Sequence, residues 1–308
     1  MIETAYLTPQ NLQQALQQAK ENPGTFIFSA GGTDLYLRRQ QQLDLKPVII
    51  DLYEIEALRG IRREGEALVI GALATLHELA TSPLLASWSP MVAEAARSVG
   101  TPVIRKTATV GGNLLVANRC TYYNQSAEWR ESAGSCLRDK GDVCLATGGK
   151  DKCFSRNVSD LAPALIALGA TAAIQDADSR LELALEDLYV PDGIRNHFDS
   201  GRPWILESIR LETPPSAAWF RKLRQRASLD FSSLTVAAAR NAQGDLRVCI
   251  GAVSMSPVLL VGAPSLEDLQ GQARRQCKTV DNDLMPLKYR RAMMEAFLQE
   301  AWEATVPR

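Results

Sequence analysis

Histidine is scarce in this chain: His77 and His197 are the only two among 308 residues. No serine, histidine or cysteine stands in a recognisable nucleophilic triad, and no pair of carboxylates suggests hydrolysis. The dinucleotide fingerprint GxGxxG and the Lys-Ser/Thr of a P-loop are both missing, so a standard nicotinamide or ATP site is not supported. An excess of one charge is missing too, with 34 lysines and arginines against 35 aspartates and glutamates. That balance argues against nucleic acid or an anionic membrane as the main partner. Apolar runs such as ALGATAAI are far too short to span a bilayer. The opening MIETAYLTPQ has neither the basic region nor the apolar core of a secretory signal. A cytoplasmic location is expected, where thiols stay reduced and clustered cysteines suggest metal or redox chemistry more than disulfides.

What is present is an ordinary globular composition, 46% hydrophobic and 22% charged. The length allows two domains, or one large domain with an appendage. Residues 11–20 carry apolar positions at 12, 15, 16 and 19, the spacing of one helical face. FIFSA and VIIDL read as strands, giving a strand–turn–short helix–strand unit within the first 55 residues. ALVIGALATLHELATSPLL reads as strand, turn and helix, and PMVAEAARSVG as a helix stopped at Gly100. TATVGGNLLVA reads as a strand interrupted by two glycines. SDLAPALIALGA has an N-cap before an apolar helix, TAAIQD and RLELALEDL are strand-like, and the last forty residues are largely helical. The Pro-rich stretch 212–219 is the best domain boundary.

Two glycine loops carry the first chemical signal. Ser29, Ala30, Gly31, Gly32, Thr33, Asp34 and Leu35 follow an apolar strand, and missing side chains let backbone N–H groups approach an anion. Thr109, Val110, Gly111, Gly112 and Asn113 repeat the arrangement. One Gly-Gly turn is weak evidence; two of matching design suit a ligand with two phosphates held between two lobes. The second signal is Cys120, Cys136, Cys144 and Cys153, four of the six cysteines, spaced Cys-x15-Cys-x7-Cys-x8-Cys in one polar stretch. No C-x2-4-C knuckle is present, which disfavours structural zinc. Four thiolates on a long wrapping loop suit the corners of a [4Fe–4S] cube, with zinc or unpaired thiols left as alternatives. Cys249, in RVCIGAV, reads as a packed core thiol, and Cys277 as an incidental surface or linker residue.

The segments AGGTD (30–34), TVGGNL (109–114), SDLAPAL (159–165), KLRQRASLDF (222–231) and RVCIGAV (247–253) resemble, in order, the flavin-binding subunits of molybdenum hydroxylases. That family includes xanthine and carbon monoxide dehydrogenases. The resemblance implies an α+β fold: a two-lobed, vanillyl-alcohol-oxidase-like (PCMH-type) FAD-binding domain over 1–214, its lobes about 1–55 and 56–214. A smaller C-terminal α+β domain of the CO dehydrogenase flavoprotein type would occupy 215–308. Both glycine loops would grip the diphosphate of noncovalent FAD, Thr101 would lie near the flavin, and Asp160 would accept hydrogen bonds from FAD hydroxyls. Lys222 would stand by the flavin ring. Read without the family, Asp160 is equally an N-cap and Lys222 a solvated strand residue.

The cysteine stretch, an insertion at about 118–157, resembles one branch of the family, the 4-hydroxybenzoyl-CoA reductase β subunits, whose four cysteines bind a [4Fe–4S] cluster. The branch implies an electron-transfer subunit passing electrons from reduced ferredoxin through FAD to a molybdopterin-containing large subunit and a small [2Fe–2S] subunit. Reductive dehydroxylation of 4-hydroxybenzoyl-CoA to benzoyl-CoA would follow there. The rival expectations are an FAD subunit of another molybdenum hydroxylase, a free-standing flavin oxidase, and a metal-stabilised interaction module whose glycine loops are only turns.

Overall fold

The computed structural model describes residues 4–306. Its N-terminal lobe rests on a parallel sheet ordered β1-β3-β2, from β1 (Ala5–Leu7), β2 (Phe26–Ser29) and β3 (Val48–Asp51). Parallel neighbours need crossovers rather than hairpins. The crossovers carry α1 (Leu12–Glu21), where the Asn11 side chain accepts the Gln14 amide, and α2 (Leu35–Gln40), directly after the first glycine pair. Ala15, Leu16 and Ala19 share one face of α1 and pack with Ile50, Leu58, Leu73 and Ile205. Ile205 comes from the next sheet and Leu73 from the turn just after one of its strands, so one apolar face joins two layers.

That next sheet is antiparallel, ordered β4-β5-β8-β6-β7: β4 (Ile61–Glu64), β5 (Ala67–Gly71), β6 (Thr171–Asp176), β7 (Arg180–Ala184) and β8 (Trp204–Leu211). Helices α3 (Leu76–Thr81), α4 (Pro83–Trp88) and α5 (Pro90–Ser98) cover it; Thr75 and Glu78 form a capping box at the head of α3. A short turn, α6 (Pro102–Arg105), leads to α7 (Val110–Leu114). Here the expected strand through TATVGGNLLVA is corrected to a helical turn. Thr109, which reads as a strand former, serves as N-cap and accepts the Gly112 amide at 3.1 Å. The N–H groups of Val110 and Gly111 turn instead to the carbonyls of Ala74 and Ala72, leaving Thr109 only an isolated bridge to Thr75. Within the insertion, Ser126 caps α8 (Ala127–Ala133); α9 (Leu161–Ala167), wholly buried, follows it.

Residues 212–219 run from the end of β8 into the first strand of another sheet, which belongs to the smaller C-terminal domain. That domain is an antiparallel sheet ordered β12-β11-β10-β9, from β9 (Ala217–Leu223), β10 (Leu234–Arg240), β11 (Leu246–Gly251) and β12 (Val258–Val261), with α10 (Leu266–Gln276) and α11 (Leu287–Thr305). Both faces are buried, so alternate residues go to different cores. Leu234, Val236, Ala238, Val248 and Ile250 pack with Leu269, Phe297 and Leu298 of the helices. Ala237, Ala239, Cys249 and Phe220 pack on the other side, with Leu161 and Leu165 of α9. Cys277, expected at the surface, belongs to the helical core, and burial pushes its thiol up to about 12. Among the described residues no helix is long and apolar enough to cross a membrane.

Arg290 of α11 is fully buried, and desolvation is the main reason its guanidinium falls to about 10. It donates to the carbonyls of Ser233 (2.8 Å), Ala252 (2.6 Å) and Val280 (3.2 Å) and to Asn282 Oδ1 (3.3 Å). Arg290→Met removes the donors and strands those buried acceptors. The substitution should cost about 3 kcal/mol, read as a lower urea midpoint at unchanged m-value.

Candidate functional site

The two glycine loops meet along one wall of a cavity of about 590 Å³, within the size range of small-molecule cofactor sites. Gly31 makes the meeting possible. A β-carbon there would stand 1.8 Å from the carbonyl oxygen of Thr107, in the turn leading into the second loop. Gly32 adopts φ +66°, a left-handed conformation that costs glycine little, with the Tyr36 ring over it. Gly111 presses on Ala72, where a β-carbon would find the Ala72 side chain and carbonyl at 3.1 Å. Ser29 to Leu35, Thr109, Gly111, Gly112, Asn113, Asp160 and Lys222 all line this cavity. Val110 is buried in the core instead, and Thr101 caps α6 beside lining residues Gly100 and Ile104.

Asp160 stands at the N-cap position of α9, yet its side chain makes no cap bond. Ser159 Oγ accepts the Ala162 amide at 3.0 Å, and Asn113 Oδ1 accepts the Leu161 amide at 3.2 Å and the Ser159 hydroxyl at 2.8 Å. The Asp160 carboxylate is thereby left for the C-terminal domain. It accepts Lys222 Nζ at 2.6 Å, the Ser232 hydroxyl and Thr235 Oγ1 at 3.3 Å. Lys222 is not a solvated strand residue: its side chain is 4% exposed and also donates to Ser98 O at 3.1 Å. A buried pair so satisfied holds Asp160 and Lys222 in fixed positions on the cavity wall.

Other lining residues were not named as site residues from the sequence. His197 enters from the loop after β7, far from either glycine loop in the chain, and burial lowers it to about 4, so it is neutral at physiological pH. Val99 and Gly100, Trp204 and Leu206, and Leu229 to Phe231 complete the walls. Arg119 ion-pairs with Asp34 and sits 4.7 Å from the centre of the Phe231 ring. Desolvation lowers its pKa against the support of Asp34.

Arg119 also stands at the start of the cysteine stretch. Its N–H and C=O exchange hydrogen bonds with Arg156 at 2.8 and 2.9 Å, so the cysteine stretch leaves and returns through one two-residue bridge. Asn118 donates to Ser155 O at 3.0 Å and Met255 O at 2.7 Å, and Arg156 pairs with Asp283, anchoring that bridge to the C-terminal domain. Beyond it, Cys120, Cys136, Cys144 and Cys153 line one small pocket with Tyr122, Tyr123 and Arg138. Cys120, Cys136 and Cys144 each head a tight turn, their carbonyls accepting amides three to five residues on. Desolvation raises Cys120 to about 11 and also raises Cys153. Cys144 is desolvated as well, yet hydrogen bonds from the Thr147 side chain and the Phe154, Ala146 and Thr147 amides bring its thiol below the ordinary value. The thiols enclose only about 10 Å³. Among the described residues no group of three or more His, Cys, Asp or Glu side chains is placed to hold a metal ion. The expected metal-ligand set is therefore not formed at single-ion spacing.

The comparisons with known proteins bear on the first of these sites. A family model described as "FAD binding domain in molybdopterin dehydrogenase" matches residues 2–211. The chain is 27% identical over 253 residues to the aldehyde oxidoreductase FAD-binding subunit PaoB of Escherichia coli (strain K12), covering 79% of each protein. It is 26% identical over 237 residues to the nicotinate dehydrogenase FAD-subunit of Eubacterium barkeri, covering 75% of this chain and 67% of the relative. In overall fold it is similar to a chain of reconstituted CO dehydrogenase from Oligotropha carboxidovorans, with TM-score 0.77, 22% identity, and coverage of 98% of this chain and 97% of that one. Both glycine loops that line the cavity lie within this match across 2–211: the chain belongs to the family of FAD-binding domains of molybdopterin dehydrogenases.

Proposed function

We propose that the chain is the FAD-carrying electron-relay subunit of a molybdenum-dependent aryl-CoA reductase, working in the cytoplasm. The observation that carries the flavin part is the meeting of both glycine loops and the Asp160–Lys222 pair on one cavity. The loops Ser29–Leu35 and Thr109–Asn113 would bind the diphosphate noncovalently, since glycine at 31, 32, 111 and 112 leaves backbone exposed to it. Asp160, held by Ser232, Thr235 and Lys222, would orient FAD hydroxyls. Lys222 would place a positive charge where the reduced flavin is anionic, and Thr101 would stand at the end of the same wall. FAD supplies the exchange between one-electron and two-electron carriers.

The second half of the proposal is a [4Fe–4S] cluster on Cys120, Cys136, Cys144 and Cys153. It is supported by convergence of four thiols on one pocket and by the amide and hydroxyl donors that lower Cys144. The pocket walls are turns rather than strand ladders, and admitting a cube requires them to move apart. Reduced ferredoxin as donor, a molybdopterin-containing large subunit, a small [2Fe–2S] subunit and 4-hydroxybenzoyl-CoA as the substrate complete this reading. A second reading, an FAD subunit for another substrate, is favoured by the relatives, one of which is named a nicotinate dehydrogenase subunit.

Anaerobic purification decides the cofactors: one FAD and about four non-haem irons per chain are expected. Flavin without iron would remove the cluster, and colourless protein with one zinc would remove the relay altogether. The co-purified complex should oxidise reduced viologen with 4-hydroxybenzoyl-CoA; turnover with nicotinate or CO and none with the thioester would select the second reading. Cys136→Ser should lower iron well below four per chain while FAD content stays near that of the parent, because the glycine loops lie outside the insertion. Gly31→Ala should weaken FAD binding about tenfold or more, ~1.4 kcal/mol, as the loops are forced apart; isothermal titration of the apoprotein with FAD measures it.

A further inference from the structure

Four arginines belong to the insertion and its base, and three of them have carboxylate partners: Arg119 with Asp34, Arg130 with Asp139 and Arg156 with Asp283. Arg138 differs. It lies two residues beyond Cys136, lines the cysteine pocket, and among the described residues makes no ion pair. Its Nη1 donates to Asn118 O at 2.7 Å and Ser155 Oγ at 3.4 Å, and its guanidinium stands 4.4 Å from the centre of the Tyr123 ring. Both acceptors are neutral. Desolvation acts against its charge, as does Arg38; the Asp44 that faces it from the loop after α2 is already paired with Arg38. Besides the Tyr123 phenol, the group left to answer this cation is the sulfur of Cys153 in the same pocket.

A cation in a low-dielectric site without a carboxylate is costly unless an anion stands beside it. A cluster on four thiolates is such an anion, and it gains one further negative charge when it takes up an electron from a one-electron carrier. The cation therefore favours the reduced form more than the oxidised one. We propose that Arg138 is the counter-cation of the cysteine pocket and holds the reduction potential of its cluster up, easing electron entry; this rests on the cluster reading above.

The test uses the full chain, purified anaerobically, with iron analysis and a redox titration of the cluster followed by electron paramagnetic resonance. Arg138→Met should keep about four irons and shift the oxidised-to-reduced ratio at fixed potential about tenfold, a fall in midpoint of about 59 mV for a one-electron couple. Arg138→Lys should restore most of the parent midpoint. A Met variant with full iron and an unchanged midpoint overturns the inference. Should the Met variant lose iron, the Lys variant decides. Iron retained with lysine supports a need for charge. Iron lost with lysine too shows that only the guanidinium's hydrogen bonds to Asn118 and Ser155 matter, and overturns the inference. Parent protein without iron overturns the cluster reading itself, a result distinct from any midpoint.

Discussion

The architecture depends on one backbone contact, the approach of Gly31 to the carbonyl of Thr107. The first loop belongs to a small parallel sheet and the second to the helical cover of an antiparallel one. Nothing in their local sequences obliges them to share a wall. A residue with any side chain at 31 would hold them apart, and the cavity would divide into two shallow clefts. With glycine there, the apolar cluster shared by α1, β3 and β8 can close beneath the contact, and the loops become two sides of one recess.

A second layer of constraint comes from the C-terminal domain. Its sheet is buried on both faces, so it can press α9 against the larger sheet while carrying its own helices behind. That position lets Lys222, Ser232 and Thr235 reach Asp160 at the start of α9. The acidic group at the cavity is thus organised by residues more than sixty positions away, and the helix it begins is capped by Ser159 and Asn113 instead. The polar seam of Asn118, Arg156, Asn282, Asp283 and Arg290 joins the insertion base to the same domain. Buried polar groups of this kind carry weight because each one lost strands a partner.

Much of this was legible in the chain. Apolar spacing identified α1, the C-terminal stretch read as helical, glycine pairs marked the loops, and clustered cysteines marked the insertion. Where reading failed, a residue had two plausible local roles and tertiary contacts chose between them. Thr109 looked like a strand residue and became a cap; Asp160 looked like a cap and became an acceptor for another domain. Cys277 looked exposed because its neighbours are charged, yet its own position falls on the buried side of α10's end. His197 and Phe231 reach the cavity only through folding, and no spacing rule connects them to a glycine loop. Arg119 is similar: adjacent to Cys120 in sequence, it answers Asp34 across the two lobes.

The narrow bridge between Arg119 and Arg156 has a consequence for how such a chain can arise. The scaffold, not the excursion, holds the two ends together, so the entropy of closing that long detour is borne by bonds that exist without it. Backbone on either side would run nearly continuously if the detour were cut out at its neck. An ancestral flavoprotein could acquire or shed the whole sulfur-bearing segment as a module, in one genetic event, with the cofactor recess left standing.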